Sequence, residues 1–173
     1  GDNGYRTALI GKWHLGYLQK HHPMNFGFQK FVGFKSGNVD YQSHRNRYGD
    51  MDWWDGLEMK DMSGYTTTLL TTLSEDYIKE NKDKPFCLYI AHAAPHSPMQ
   101  APDEKAVRTE ATPEGDKNSD RSNKEIYKDM VEELDWSVGR ILETLKKYKL
   151  DENTFVVFFS DNGPVINNGG SAG

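Results

Sequence analysis

The sequence has little of three things, each of which would have indicated a different class of protein: cysteine, basic clusters and long apolar runs. Cys87 is the one cysteine, so no intrachain disulfide can form, and its place in the apolar run 86–90 predicts a buried, inert thiol. The 21 lysines and arginines are spread among 26 aspartates and glutamates, and the net charge of -5 argues against nucleic acid as a partner. No apolar run approaches the roughly 20 residues that span a bilayer, and no signal peptide is recognisable.

One short and strongly apolar stretch does occur near the end of the chain, and oxygen-bearing side chains follow it. Residues 155–159 are three phenylalanines and two valines, a composition that predicts a strand buried on both faces in a parallel sheet. Asp161 and Asn162 come next, at the carboxyl end of that strand, where open α/β sheets bind ligands. Their oxygens suit part of the shell of a hard cation such as calcium, although Asp-Asn-Gly is also a common turn sequence.

A second candidate site follows the β-compatible run 7–10. If the extended geometry continues beyond it, Lys12 and His14 lie on one face of the strand and Trp13 on the other, because strand side chains alternate. An ammonium and an imidazole on one face can both donate to one anion, such as a sulfate or a phosphate group. An isolated Lys-x-His pattern is also what a surface lysine beside a chance histidine produces.

Two segments are predicted to be irregular. Segment 17–64 is rich in glycine and aromatic residues without a sustained period, which predicts long loops with short irregular elements. His44, Trp53 and Trp54 within it are interpreted as packing residues, with a role in lining the substrate site as the alternative. Segment 103–124 is charged and almost free of large apolar residues, which predicts a solvated loop.

Regular elements are predicted in the remaining chain. Apolar periodicity predicts helices over 65–81 and 125–148, and the apolar run 86–91 predicts a second buried strand. The resulting order is strand, helix, strand, helix, strand. This order predicts an α/β fold with a mainly parallel sheet flanked by helices and right-handed crossovers.

The loop after the second predicted strand contains a further candidate residue, His96. Pro95 and Pro98 restrict the backbone around it, so that its imidazole is held in a rigid loop. In a parallel sheet this loop lies at the same edge as Asp161. His92 is closer to the strand and is interpreted as a packing residue.

Three short motifs therefore follow the three predicted strands in order: Gly-Lys-Trp-His, Pro-His-Ser-Pro and Ser-Asp-Asn-Gly. With these motifs the sequence resembles the sulfatase family of the alkaline-phosphatase-like superfamily. Segment 4–16 is similar to a sulfatase signature, and the resemblance continues through 25–28, 95–98 and the last predicted strand. It covers nearly the whole chain outside 103–124, and it implies a partial alkaline-phosphatase-like domain.

The resemblance implies a role for each candidate residue. Lys12 would contact the sulfate and the nucleophile, while His14 would hold the nucleophile and help its regeneration. His96 would bind the sulfate near the leaving oxygen, and Asp161 with Asn162 would coordinate calcium or magnesium. These roles suit sulfate-ester hydrolysis, because a metal ion with lysine and histidine stabilises charge on the sulfuryl oxygens.

Several parts of the family pattern are absent from the 173 residues. The family's nucleophile is a formylglycine made in a Cys/Ser-x-Pro/Ala-x-Arg motif, which does not occur here, and the neighbours of Cys87 do not match it. The aspartate pair of the family's first strand and the lysine beyond the Asp-Asn turn are also missing. We therefore expect residues 1–173 to be an internal piece of a single catalytic domain, without the upstream nucleophile region and the C-terminal subdomain. By itself, such a piece is expected to be inactive.

Two other functions remain open. The nearer is a phosphatase or phosphodiesterase of the same superfamily. Its two-zinc members place a histidine directly after the final aspartate, whereas Asn162 here favours one oxygen-bound metal and hence a sulfatase. The other is a non-catalytic binding or structural module, in which Lys12, His14 and His96 could be replaced without loss of activity.

The resemblance also bears on partners and localisation. It implies a sulfated small molecule or carbohydrate as substrate, while charge and the lack of a long apolar run predict no nucleic acid and no membrane span. The chain itself leaves the localisation unknown, and the family is mostly periplasmic, secreted or lysosomal. Parallel strands separated from their neighbours would expose apolar edges, so the chain is predicted to be capable of self-association.

Overall fold

A computed structural model of the chain describes residues 3–113 and 119–163, and a mixed sheet lies at its centre. Strand β1 (Arg6–Lys12) is the middle strand of a parallel trio. It pairs with β2 (Lys30–Phe34) on one side and with β5 (Phe86–Ala91) on the other. The prediction of strands near 7–10 and over 86–91 is therefore confirmed.

Two short strands extend the sheet beyond β2. They are β3 (Trp54–Asp55), antiparallel to β2, and β4 (Glu58–Met59), antiparallel to β3. The strand order is β4-β3-β2-β1-β5. The fold is α/β, as predicted, with its parallel part confined to β2, β1 and β5.

Two helices flank the sheet and agree with the predicted ones. Helix α1 (Thr66–Asn81) packs on β1 and β5, and α2 (Asn123–Lys147) packs against α1. A reciprocal capping box starts α2, since the Ser122 side chain accepts from the Glu125 amide and the Glu125 carboxylate accepts from the Ser122 amide. No helix among the described residues is both long enough and apolar enough to cross a membrane.

The parallel strands come very close together at their carboxyl ends, where glycines are paired. A Cβ on Gly33 would lie 2.1 Å from the carbonyl oxygen of Gly11, and one on Gly11 would lie 2.1 Å from the carbonyl oxygen of Ala91. Both glycines also have positive φ, +144° and +125°, which other residues rarely adopt. A side chain at either position would push apart the strand ends and the loops that follow them.

The main core lies between the sheet and the helices. Aromatic residues of the long loops fill it together with aliphatic residues of the strands and helices. The largest fully buried members are Trp53, Tyr41, Phe34, Ile10, Leu70 and Met130. The loops of segment 17–64 are thus part of the packed body of the molecule.

Asp40 joins two of these loops from a fully buried position. Its Oδ1 accepts two backbone amides of its own loop, and its Oδ2 accepts the amides of Val107 and Arg108 at 2.7 and 2.8 Å. Arg108 is itself buried. The described part of segment 103–124 is therefore anchored at these residues, while 114–118 lie outside the described residues.

The prediction of a buried last strand is wrong. No strand occurs over 155–159, and its five side chains are at least half exposed, from 50% at Val156 to 92% at Phe155. In the described residues the sheet ends at β5. An apolar composition favours burial, but a central strand also needs a hydrogen-bonding neighbour on each side, and no described strand takes that place.

Two further predictions differ from the structure. The predicted topology lacks β2, because its five residues lie inside an aromatic and glycine-rich loop region and include Gly33. The open edge of the sheet is β5, whose side chains alternate between partly buried and exposed. Cys87 is on the exposed side, so the prediction of a buried thiol is wrong.

Candidate active site

The chain leaves β1 along the exit of β2, and this places His14 at the carboxyl edge of the sheet. The Trp13 amide donates to the Phe34 carbonyl at 2.9 Å, and the His14 amide donates to the Lys35 carbonyl at 3.2 Å. His14 has a φ of +57°, so the extended geometry assumed for a common face of Lys12 and His14 ends here. A left-handed non-glycine residue costs about 1 kcal/mol or more and is found preferentially at functional sites.

The turn after β2 makes room for the His14 ring. A Cβ on Gly37 would lie 2.4 Å from His14 Nε2, so a side chain at this position would force the imidazole to move. Asp52 fixes this turn, because the amides of Lys35 and Ser36 donate to its carboxylate at 3.1 and 2.8 Å. The position of the ring therefore depends on the backbone of a neighbouring strand.

His96 is held by the loop that follows β5. Its amide donates to the Ala93 carbonyl, and its own carbonyl accepts the Tyr41 hydroxyl, both at 2.9 Å. Its Nδ1 lies 2.8 Å from the Ser97 carbonyl. Because a carbonyl can only accept, Nδ1 carries the proton in this bond, and Nε2 is the nitrogen available to a ligand.

The candidate residues influence one another electrostatically, which shows that they share one region. Burial lowers the pKa of Lys12, and the negative charge of Asp161 partly offsets this. The pKa of His14 is lowered first by burial and then by the positive charges of Lys12 and His96. Positive charge is thus partly disfavoured in the site by burial, and an arriving anion would reduce that penalty.

Asp161 and Asn162 are exposed at the end of the described chain near Lys12. The amide nitrogen of Asn162 donates to the Gly163 carbonyl at 2.7 Å, so its amide oxygen remains available. A carboxylate and an amide oxygen fit a calcium or magnesium ion by chemistry, but they make only part of a shell. No group of three or more His, Cys, Asp or Glu side chains that could hold a metal occurs among the described residues.

A cavity of about 260 Å³ opens beside the two candidate histidines. The other residues of its lining were not identified from the sequence, and they lie in the loop after β1 or in the turn and loops after β2. The one available signal was the Ser-Gly-Asn turn after an apolar run. The main members of the lining are His14, His96, Tyr17, Asn38, Arg47 and Tyr48.

The other histidines and tryptophans considered in the sequence have packing environments. His92 is hydrogen-bonded to a serine of α2 at 3.3 Å, and burial lowers its pKa to about 4. The ring of His44 is fully buried against Trp53, with 4.4 Å between ring centroids. Trp54 donates from Nε1 to Asp52 at 2.7 Å. These contacts agree with their interpretation as packing residues.

Comparison with known proteins decides the family. The family model described as Sulfatase matches residues 1–173. The chain belongs to the sulfatase family. This confirms the resemblance seen in the sequence.

Named relatives align with most of this sulfatase chain. It is 33% identical to the N-acetylgalactosamine-6-sulfatase of Canis lupus familiaris, over 99% of this chain and 34% of that protein. It is 30% identical to the uncharacterized sulfatase YdeN of Escherichia coli (strain K12), over 95% of this chain and 32% of that protein. The chain thus spans about a third of the length of the curated relatives it matches.

Solved structures show the same fold. The sulfatase chain superposes on Ps i-CgsB, solved in complex with k-i-k-neocarrahexaose, with a TM-score of 0.80 and 30% identity. The match covers 98% of this chain and 40% of that one. The putative sulfatase YidJ of Bacteroides fragilis shares the fold at a TM-score of 0.59 and 22% identity, over 88% of this chain and 40% of that one.

Proposed function

We propose that the protein containing this chain hydrolyses sulfate esters of carbohydrates. The observation that carries the proposal is the placement of His14 and His96 in the lining of one cavity, with Lys12 close enough to lower the pKa of His14. A sulfate ester carries negative charge on its free oxygens, and more charge develops on the leaving oxygen as the ester bond breaks. Donors held ready for that charge lower the barrier more than mobile water can.

Lys12 binds an oxygen of the sulfate in this proposal. Its ammonium group is partly removed from water, which lowers its pKa. A sulfate oxygen within hydrogen-bond distance restores a partner for the charge, and a charge-assisted bond of this kind is stronger than a neutral one. The carboxylate of Asp161 partly opposes this lowering of the Lys12 pKa.

The two histidines have complementary roles in the proposal. His14, with its pKa lowered, is a neutral imidazole near neutral pH and orients the nucleophile by accepting or donating a hydrogen bond. His96 presents Nε2, because its Nδ1 is engaged by the Ser97 carbonyl. From there it hydrogen-bonds the sulfate near the leaving oxygen.

Two groups complete the proposed site. Asp161 and Asn162 would supply two of the oxygen ligands of a calcium or magnesium ion, which when bound neutralises charge on the sulfuryl oxygens. A formylglycine in a part of the protein outside these 173 residues would supply the nucleophile. Residues 1–173 would accordingly form one part of a single catalytic domain.

The names of the matched proteins support carbohydrates as the substrate class. One relative is an N-acetylgalactosamine-6-sulfatase, and the structural neighbour at 30% identity was solved with a neocarrahexaose. We propose a sulfated carbohydrate as substrate on this basis. A periplasmic, secreted or lysosomal localisation belongs to the same proposal.

The first test is the hydrolysis of sulfate and phosphate esters by the full-length protein. We expect release of inorganic sulfate from sulfated saccharides, loss of that activity after chelation of divalent cations, and recovery with added calcium or magnesium. The 173-residue chain alone should release none. Faster hydrolysis of the matching phosphate esters would overturn the proposal in favour of a phosphatase.

A substitution at Gly37 tests the geometry of the site without removing any proposed catalytic group. Gly37→Ala would place a Cβ 2.4 Å from His14 Nε2 and displace the ring. We expect kcat/KM for sulfate release to fall by about a hundredfold, because displacements near 1 Å have effects of that size. Gly139→Ala is the matched control, since a Cβ there meets nothing within 4 Å. Equal activity of both variants would contradict the role of His14.

A further inference from the structure

Arg47 and Tyr48 line the cavity beside the two candidate histidines, yet the proposed hydrolysis gives them no role. A tight turn presents both side chains. Asn46 Oδ1 accepts the amides of Tyr48 and Asp50 at 2.8 and 3.2 Å, and the Gly49 amide donates to the Asn46 carbonyl at 3.1 Å. Because Asn46 is itself buried, the turn is fixed to the body of the molecule.

The charge of Arg47 is not neutralised by any acidic side chain within ion-pair distance among the described residues. The guanidinium carbon lies 5.5 Å from the centroid of the Tyr48 ring, a distance typical of a cation–π contact. Arg108 behaves differently, since it is buried, donates to Asn38 Oδ1 at 2.8 Å and has Asp40 as a compensating charge. Among the described residues Arg47 therefore has no acidic partner, and its guanidinium in the cavity lining is open to an external anion.

Two tyrosines of the cavity lining offer aromatic faces against which the ring of a ligand can pack. Tyr48 is 66% exposed and Tyr17 is 51% exposed, and both line the cavity. Aromatic side chains that stay exposed at a concave surface are typical of ligand contact, because the core does not cover their apolar faces. The cavity, at about 260 Å³, is close to the lower limit of about 300 Å³ for small-molecule sites.

We propose that Arg47, packed beside Tyr48, binds a second anionic substituent of the saccharide that carries the scissile sulfate. The substituent is a sulfate or a carboxylate, because a guanidinium pairs with either through two parallel hydrogen bonds. The preferred substrate is then a saccharide with two anionic groups, and Arg47 is a specificity-determining residue. This inference rests on the proposed sulfatase function.

The test compares Arg47→Ala and Arg47→Lys with the unchanged full-length protein on paired substrates. The pairs are monosulfated and disulfated neocarrabiose, and N-acetylgalactosamine with one or two sulfates. For the preferred pair, we expect Arg47→Ala to raise KM for the disulfated member about tenfold, with kcat and the monosulfated member nearly unchanged. Arg47→Lys should recover part of the loss. Arg140→Ala removes the same charge from α2, where the guanidinium pairs with Glu75 at 3.0 Å, and should change neither substrate.

Calorimetric binding of the same saccharides separates this inference from the proposed function. If the unchanged protein hydrolyses sulfate esters but shows no preference for the disulfated member, or one that Arg47→Ala leaves intact, the inference is overturned and the proposed function stands. If it hydrolyses no ester but binds the disulfated member more tightly through Arg47, the proposed function fails and the subsite stands. Absence of any binding overturns the subsite as well.

Discussion

Two apolar segments of this chain have opposite surroundings, and the more strongly apolar of the two is the exposed one. In β1, Ala8, Leu9 and Ile10 are completely buried, whereas all five side chains of 155–159 are at least half exposed. The difference lies in their neighbours: β1 has a parallel partner on each side, and no described strand pairs with 155–159. A buried strand is thus a property of a sheet, which the composition of one segment cannot establish.

The largest expected effect is on the free energy of unfolding, where a buried phenylalanine is compared with an exposed one. Phe31, in β2, is completely buried and has the ring of His22 at 5.2 Å, while Phe155 is 92% exposed. Phe31→Ala should lower the free energy of unfolding by about 3–5 kcal/mol, because it removes a buried ring and leaves a cavity. Phe155→Ala should change it by less than about 0.5 kcal/mol.

Urea unfolding followed by circular dichroism measures both variants under the same conditions. Each substitution removes the same atoms, so a difference between them reports only the surroundings of the two rings. A loss of similar size at both positions would mean that 155–159 is buried in solution, and the contrast drawn here would not hold.

The sequence predicted those parts of the fold that depend on local pattern. The helices α1 and α2 follow from apolar spacing, and β1 and β5 follow from short apolar runs. The sequence failed where pairing decides the outcome. The predictions from the sequence did not include β2, whose five residues form a strand by pairing with β1. They also treated 155–159 as a buried strand, although no described strand pairs with it.

The candidate site shows the same division. Lys12, His14 and His96 could be selected because motifs that follow parallel strands meet at one edge of the sheet, whereas Asp161 was selected from a predicted strand that the described residues do not contain. Their proposed roles came from family resemblance and are still predictions. The lining residues around Arg47 could not be predicted, because their place beside the histidines depends on the path of the loops after β2 and on side-chain packing.

A smaller effect is expected at His92, where α2 covers the end of β5. Burial lowers its pKa from 6.5 to about 4. Above pH 6.5 the imidazole is neutral in both states, whereas between about 6.5 and 4 the unfolded chain binds a proton that the folded chain does not. The free energy of unfolding should therefore fall by about 3 kcal/mol as the pH falls through this window.

Denaturant unfolding at pH 7.5 and at pH 4.5 tests this expectation. His92→Gln should remove the contribution of His92 to the pH dependence and leave that of other histidines whose pKa is lowered by burial, such as His44. His96→Gln is the control, since the His96 side chain is exposed and carries no comparable burial. If His92→Gln keeps the full pH dependence, the imidazole is accessible to water and α2 does not seal this end of the sheet.

The smallest expected effect concerns association of the chain through its exposed segment 155–159. Five adjacent apolar side chains exposed at 155–159 form a patch of a kind that soluble monomers rarely expose. We expect light scattering of the 173-residue chain to show concentration-dependent association, reduced by Phe155→Asp with Phe158→Asp. Leu57→Asp with Leu142→Asp adds the same charge at two separate exposed leucines and should leave association unchanged. A monomer at every concentration would contradict the prediction, and an equal effect of both pairs would assign association to net charge.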